Sequence, residues 1–158
     1  MGNHDRALGE SGSRVIFVGH SSLGTQGSAN GVQLFDGISA DTVSQTNDWA
    51  SSATITSVTV NADTVGLFGC DTKAIMGQYT TDNPNTSAIG VDGGANRGTS
   101  LEALGASAAA FVRADAIARP ATGQAPSNAR DPIAAANAAL QQNRRKEDLD
   151  GDKVIRNQ

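Results

Sequence analysis

Apolar residues fall along this chain in short continuous runs separated by glycine- and serine-rich stretches. Residues 14–19 (Arg-Val-Ile-Phe-Val-Gly) form the first run and 64–69 (Thr-Val-Gly-Leu-Phe-Gly) the second. Their length and β-branched content predict strands buried on both faces, because a half-exposed strand would alternate apolar and polar positions. Residues 88–91 are a third short strand, followed by a loop over 92–98, and 32–35 a further short one. Residues 20–31 between them read as a glycine- and serine-rich loop. Residues 53–60 alternate Ile55, Val58 and Val60 with threonine and serine, which suits an edge strand or an extended crossing.

Helical spacing appears in the remaining segments. Ser39 or Asp41 can cap a short helix through Trp49, and residues 71–79 can form a helix that stops at the turn-prone Thr-Asp-Asn-Pro-Asn of 81–85. The clearest helix opens at Thr99-Ser-Leu-Glu102, a capping box in which Thr99 bonds a first-turn N–H and Glu102 reaches back. Leu101, Leu104, Ala108, Phe111 and Val112 then share one face, and the pattern ends near Arg119-Pro120. An alanine-rich helix follows from Asp131 to about Lys146, with Arg144, Arg145 and Lys146 near its negative end. The expected organisation is a lead-in over 1–13, a core over 14–119, a linker over 120–130, and a C-terminal helix with a charged tail over 131–158. Strand and helix alternate without an internal repeat, so the fold class is α/β, a sandwich with a mainly parallel sheet.

Composition narrows the chemistry. At 158 residues with 38% hydrophobic and 4% aromatic content, the chain has room for one domain with a thin core of closely packed Val, Ile, Leu and Ala. No stretch approaches the roughly 18 uninterrupted apolar residues of a membrane span, and no signal peptide opens the chain, so a cytoplasmic location is the default expectation. A net charge of −4 argues against a nucleic-acid partner. The single cysteine, Cys70, excludes an internal disulfide and a multi-cysteine zinc site. The two histidines, His4 and His20, leave little else for catalysis, and no metal or cofactor is expected. The tail 148–155 looks like the first half of a calcium loop. Lys153 replaces its turn glycine and no bidentate Glu follows, so a solvated charged end is expected.

His20 and Cys70 form the strongest constellation. Each directly follows an apolar strand and a glycine, in Phe-Val-Gly-His and Leu-Phe-Gly-Cys. In a parallel α/β sheet the loops at the carboxyl ends of strands line the ligand crevice, which brings an imidazole and a thiol to one edge. A nearby imidazole is the usual means of turning a thiol into a nucleophilic thiolate. Taken singly, a lone cysteine is a buried structural residue and a loop histidine is unremarkable; the matched contexts favour the pair. Gly19-His20-Ser21-Ser22-Leu23-Gly24 also looks like a serine-hydrolase elbow, but Leu23 stands where the second glycine belongs and no histidine follows His20. Trp49 and Tyr79, the only residues of their kinds, can line a groove but are more simply core packing.

With Gly19-His20 after one strand, Gly69-Cys70-Asp71 after another, and a third strand running into Asp92, the chain resembles the caspase-like cysteine peptidases. Within that group it is most similar to the bacterial CHAT and separase branch, over about residues 14–118. The separation of 50 residues between His20 and Cys70 agrees with the roughly 50 of caspases. The caspase signature around the cysteine is absent from Phe68-Gly69-Cys70-Asp71-Thr72, and Ser21 stands where members often carry glycine.

The resemblance implies a caspase-like α/β/α sandwich and a cysteine endopeptidase. Cys70 would be the nucleophile and His20 its partner, with backbone N–H groups of Cys70 and the 20–22 loop, Ser21 included, binding the oxyanion. It also implies that Asp92, or Asp71 beside the nucleophile, binds a basic P1 side chain. Their plainer role is as solvated carboxylates or a helix cap. The partner is then a protein or peptide substrate. The alternative is a catalytically silent interaction module, part of a larger effector or toxin polypeptide. The family's sheet begins with two βα units before the histidine strand, whereas 13 residues precede Arg14 here. A minimal sheet is therefore expected, or one completed by another segment or by self-association.

Overall fold

A computed structural model of the chain describes residues 14–19, 21–22, 31–33, 49–51, 55–56, 59, 61–93, 100–118, 131–143 and 153–157. In chain order the elements are β1 (Arg14–Val18), β2 (Ser21–Ser22), β3 (Gly31–Gln33), β4 (Trp49–Ser51), β5 (Thr64–Phe68), α1 (Lys73–Asp82), β6 (Ser87–Asp92), α2 (Leu101–Ala118), α3 (Pro132–Gln142) and β7 (Lys153–Asn157). The main sheet has the order β1-β5-β6-β7, and β2, β3 and β4 form a small antiparallel sheet of their own. β1, β5 and β6 run parallel while β7 is antiparallel to β6, so the main sheet is mostly parallel, as the apolar runs suggested.

Helices cover both faces of this sheet. On one face Val15, Val65, Leu67 and Ala88 pack with Ile75, Met76 and Tyr79 of α1 and with Ile55 and Ala62. On the other Phe68, Ile89, Val91 and Val154 pack against Leu104, Ala108 and Phe111 of α2 and against Ala136 and Leu140 of α3. Successive residues of β5 and β6 thus feed opposite cores, which explains why every residue of β5 is buried. Small side chains let α2 and α3 approach closely, and Ser107 donates across that contact to the carbonyl of Ala136 at 2.8 Å. Arg14 at the amino end of β1 pairs with the buried Asp115 of α2.

Several local expectations are corrected. Instead of an extended strand, the described residues between 55 and 62 make helical turns: Thr59 N–H donates to Ile55 O at 3.0 Å and Ala62 N–H to Thr59 O at 2.9 Å. Polar groups of α1 and of its C-cap hold this conformation, Tyr79 bonding Thr59 and Asn83 bonding Thr56. α1 begins at Lys73 rather than 71 and runs to Asp82, closed by Asn83 on the carbonyl of Tyr79. The expected loop 20–31 contains β2, and Trp49 opens a strand rather than ending a helix. α2 is capped by Ser100, whose hydroxyl accepts from Ala103 N–H at 3.2 Å. Leu101 and Val112 lie on its exposed side, because its buried stripe runs through Leu104, Ser107, Ala108, Phe111, Ala114 and Asp115. α3 starts as expected, with Asp131 accepting from Ile133 N–H at 3.0 Å ahead of a first-turn proline, but ends at Gln142.

The end of the chain differs most. Residues 153–157 are a strand rather than a solvated tail. Val154 is buried, and its N–H and C=O both bond the Asn137 side-chain amide, at 2.7 and 2.9 Å. One amide of α3 thereby closes the outer edge of β7. The lead-in, residues 39–48, Thr99, the 120–130 linker, the 144–146 basic run and the acidic 148–152 lie outside the described residues.

Candidate active site

β1 and β5 pair in parallel from Arg14↔Thr64 to Val18↔Phe68, a constant offset of 50 residues. Gly19 N–H continues the ladder to Phe68 O at 3.2 Å. β1 and β5 therefore end abreast at Val18 and Phe68, as neighbouring strands that run about 4.8 Å apart. His20 itself lies outside the described residues, but both its neighbours are seen against the Cys70 loop. A Cβ on Gly69 would stand 2.9 Å from Gly19 O and 3.2 Å from Ser21 Cβ, so this crossing requires glycine. One residue on, the Ser21 hydroxyl donates to the carbonyl of Cys70. Cys70 is half-buried.

The turn after Cys70 is tied to the end of β6. Asp71 adopts a left-handed conformation at φ 51° and donates its N–H to Gly93 O at 2.8 Å; Gly93 has φ 111°, which favours glycine. The Asp71 N–H is thus already engaged, and Asp71 does not cap α1, whose N-cap position is Thr72. Asp92 stands at the same edge and pairs with Lys73 Nζ at 3.2 Å. The acid expected to meet a basic substrate group already faces a lysine of its own chain. Ser21, Cys70, Asp71 and Asp92 are all placed at the carboxyl ends of β1, β5 and β6. Lys73 and Thr72 were not singled out from the sequence. A lysine three residues past a candidate nucleophile was the signal for the first.

Tyr79 is core rather than groove. It is fully buried, and since Thr59 Oγ1 gives its proton to Ile55 O at 2.7 Å, the phenol donates to Thr59 at 2.8 Å. Burial raises its pKa above 10.0, opposed by hydrogen bonds to Thr59 and Thr86. The side chain of Trp49 lies outside the description. A groove of about 360 Å³ between α2 and α3, lined by Ala110, Arg113, Ile117 and Ala139 among others, includes none of the expected site residues.

Among the described residues no three of His, Cys, Asp and Glu gather as a metal site would need, and no helix is long and apolar enough to cross a membrane. Compared with known proteins, the chain matches no family model, and no curated protein or solved structure is significantly similar to it.

Proposed function

We propose that this chain is a cysteine endopeptidase of caspase-like fold, with Cys70 as nucleophile and His20 as its acid–base partner. The shared register of β1 and β5 supports the reading, because it brings Gly19 and Gly69, the residues that precede His20 and Cys70 in the sequence, to the same edge of the sheet. The Cys70 thiolate attacks the scissile carbonyl, and His20 protonates the leaving amine; water then releases the acyl group. Backbone N–H groups of Cys70 and the 20–22 loop receive the oxyanion. Asp92 selects a basic P1 side chain by exchanging its partner Lys73 for the substrate's cation, an exposed pair of this kind being worth only about 0–1 kcal/mol.

A second reading, a silent caspase-like interaction module, draws support from that same pair, since Lys73 already neutralises Asp92. Titration of Cys70 with iodoacetamide against pH separates the two. The peptidase reading expects a thiol inflection below the free value of about 8.5 that rises in His20→Ala. An inflection near that value in both proteins removes the dyad. A peptide-library digest, with Cys70→Ala as the inactive control, then reports activity and P1 preference together. Cleavage after Leu or Asp, rather than Lys or Arg, would remove the role given to Asp92.

A further inference from the structure

Thr72 stands two residues past Cys70 and is fully buried. It occupies the N-cap position of α1 yet gives the helix no side-chain cap. Its hydroxyl instead donates to the carbonyl of Leu67 at 2.6 Å and accepts the N–H of Val91 at 2.9 Å. The registered pairing of β5 with β6 ends at Gly66↔Ile89. In a parallel ladder continuing from that pair, the Val91 N–H and the Leu67 carbonyl would form a rung with each other. The Thr72 hydroxyl is inserted into that rung. It parts the two strands at their carboxyl ends and satisfies both backbone groups that the parting would orphan.

The same side chain reaches back over the turn. Its hydroxyl lies 3.3 Å from Gly69 O, and its methyl carbon would stand 3.1 Å from a Cβ on Gly69. Cys70 is thus framed by Gly69, which packs against Gly19 and Ser21, and by Thr72, which is hooked between β5 and β6.

We propose that Thr72 is a positioning residue for Cys70: its hydroxyl, wedged into the β5–β6 ladder, holds the Cys70 turn against the loop that carries His20. This rests on the peptidase reading above and goes beyond it by assigning the residue that fixes the geometry of the pair.

Two substitutions separate hydroxyl from shape. Thr72→Val keeps the volume but puts a methyl where the hydroxyl stood, which takes from the Val91 N–H and the Leu67 carbonyl their shared partner; Thr72→Ser keeps the hydroxyl. Both are compared with wild type by iodoacetamide alkylation of Cys70 against pH and by turnover in the peptide-library digest, below each protein's melting temperature. For Thr72→Val, turnover is expected to fall about 100-fold, the scale of a 1 Å misplacement. Its alkylation inflection should move toward about 8.5, while Thr72→Ser stays within a few-fold of wild type. A folded Thr72→Val with wild-type turnover and alkylation profile overturns the proposal, whatever happens to its melting temperature. If Thr72→Val does not fold, Thr72→Ser decides, because loss of reactivity with the hydroxyl retained contradicts the assignment. Failure of the underlying peptidase reading is distinguishable, since it appears in wild type and His20→Ala before any Thr72 variant is compared.

Discussion

Replacing Gly69 with alanine adds one methyl at the place where the His20 and Cys70 loops cross. That methyl would sit 2.9 Å from Gly19 O, 3.1 Å from Thr72 Cγ2 and 3.2 Å from Ser21 Cβ. Relief to an ordinary contact of about 3.5 Å requires a displacement of roughly half an ångström. The nearest obstacle is backbone, and Gly19 N–H is itself bonded to Phe68 O, so no rotamer change provides that space. Overpacking of this kind costs about 1–3 kcal/mol, which for a chain of this length lowers the melting temperature by roughly 2–12 °C. Gly77→Ala is the internal control. A Cβ there meets nothing within 4 Å, and the position is an exposed turn of α1, so alanine should stabilise by about 0.5–1 kcal/mol. Thermal denaturation followed by circular dichroism reads both. A Gly69→Ala protein that melts with wild type, while Gly77→Ala melts higher, would refute the claim that the two loops touch.

Tyr79 is the chain's only tyrosine, so ultraviolet titration of phenolate reports it alone. Its folded pKa is raised, so the stability linked to it is intact below about pH 10, the unfolded value, and is lost as pH rises through the folded one. Tyr79→Phe should cost about 1 kcal/mol at neutral pH through the lost bond to Thr59 and should flatten the alkaline fall in stability; an equally steep fall in the variant would contradict this. Asp115→Ala should destabilise by about 3 kcal/mol in urea denaturation, the low end of the range for breaking a buried pair, because Arg14 keeps some access to water. A loss under 1 kcal/mol would mean that the pair is not formed. Asn137→Ala removes both bonds to Val154, about 2 kcal/mol of local protection, so the Val154 amide should exchange roughly thirtyfold faster with no change at Val65; unchanged exchange at Val154 would show that β7 is held without Asn137.

What the sequence made legible follows from where the signal lies. β5 and β6 are buried on two faces, so their apolar runs declare them without reference to any partner; β1, expected to be buried in the same way, is an edge strand in which only Val15 is buried and Val18 is exposed. The edge elements carry weaker patterns. β7 has only Val154 and Ile155 in a charged segment, and its strand character comes from β6 and Asn137, which are distant in sequence. Ile55, Val58 and Val60 among threonines and serines read as an extended segment over 53–60, yet the hydroxyls of Thr56 and Thr59 are bonded by Asn83 and Tyr79, a tertiary preference that no local pattern reveals. Near the expected site, the parallel pairing of the strands that precede Gly19 and Gly69 was legible from two repeated strand-Gly contexts. Thr72 was not: a threonine before a helix reads as a cap, and its use as a ladder insert depends on where β6 lies. The pairing of Lys73 with Asp92 likewise requires the β5–β6 adjacency.

Backbone rungs, rather than the intervening chain, hold the carboxyl ends of β1 and β5 abreast. The excursion over 21–63 can therefore change length without moving either one, provided that Ile55 and Ala62 keep their places beneath α1. Loop closure grows so slowly that doubling such an excursion costs only about 0.6 kcal/mol. The count of 50 is thus a by-product of this chain's loop lengths. A divergent relative would be found by a glycine and its polar successor at the ends of two paired strands, at whatever spacing.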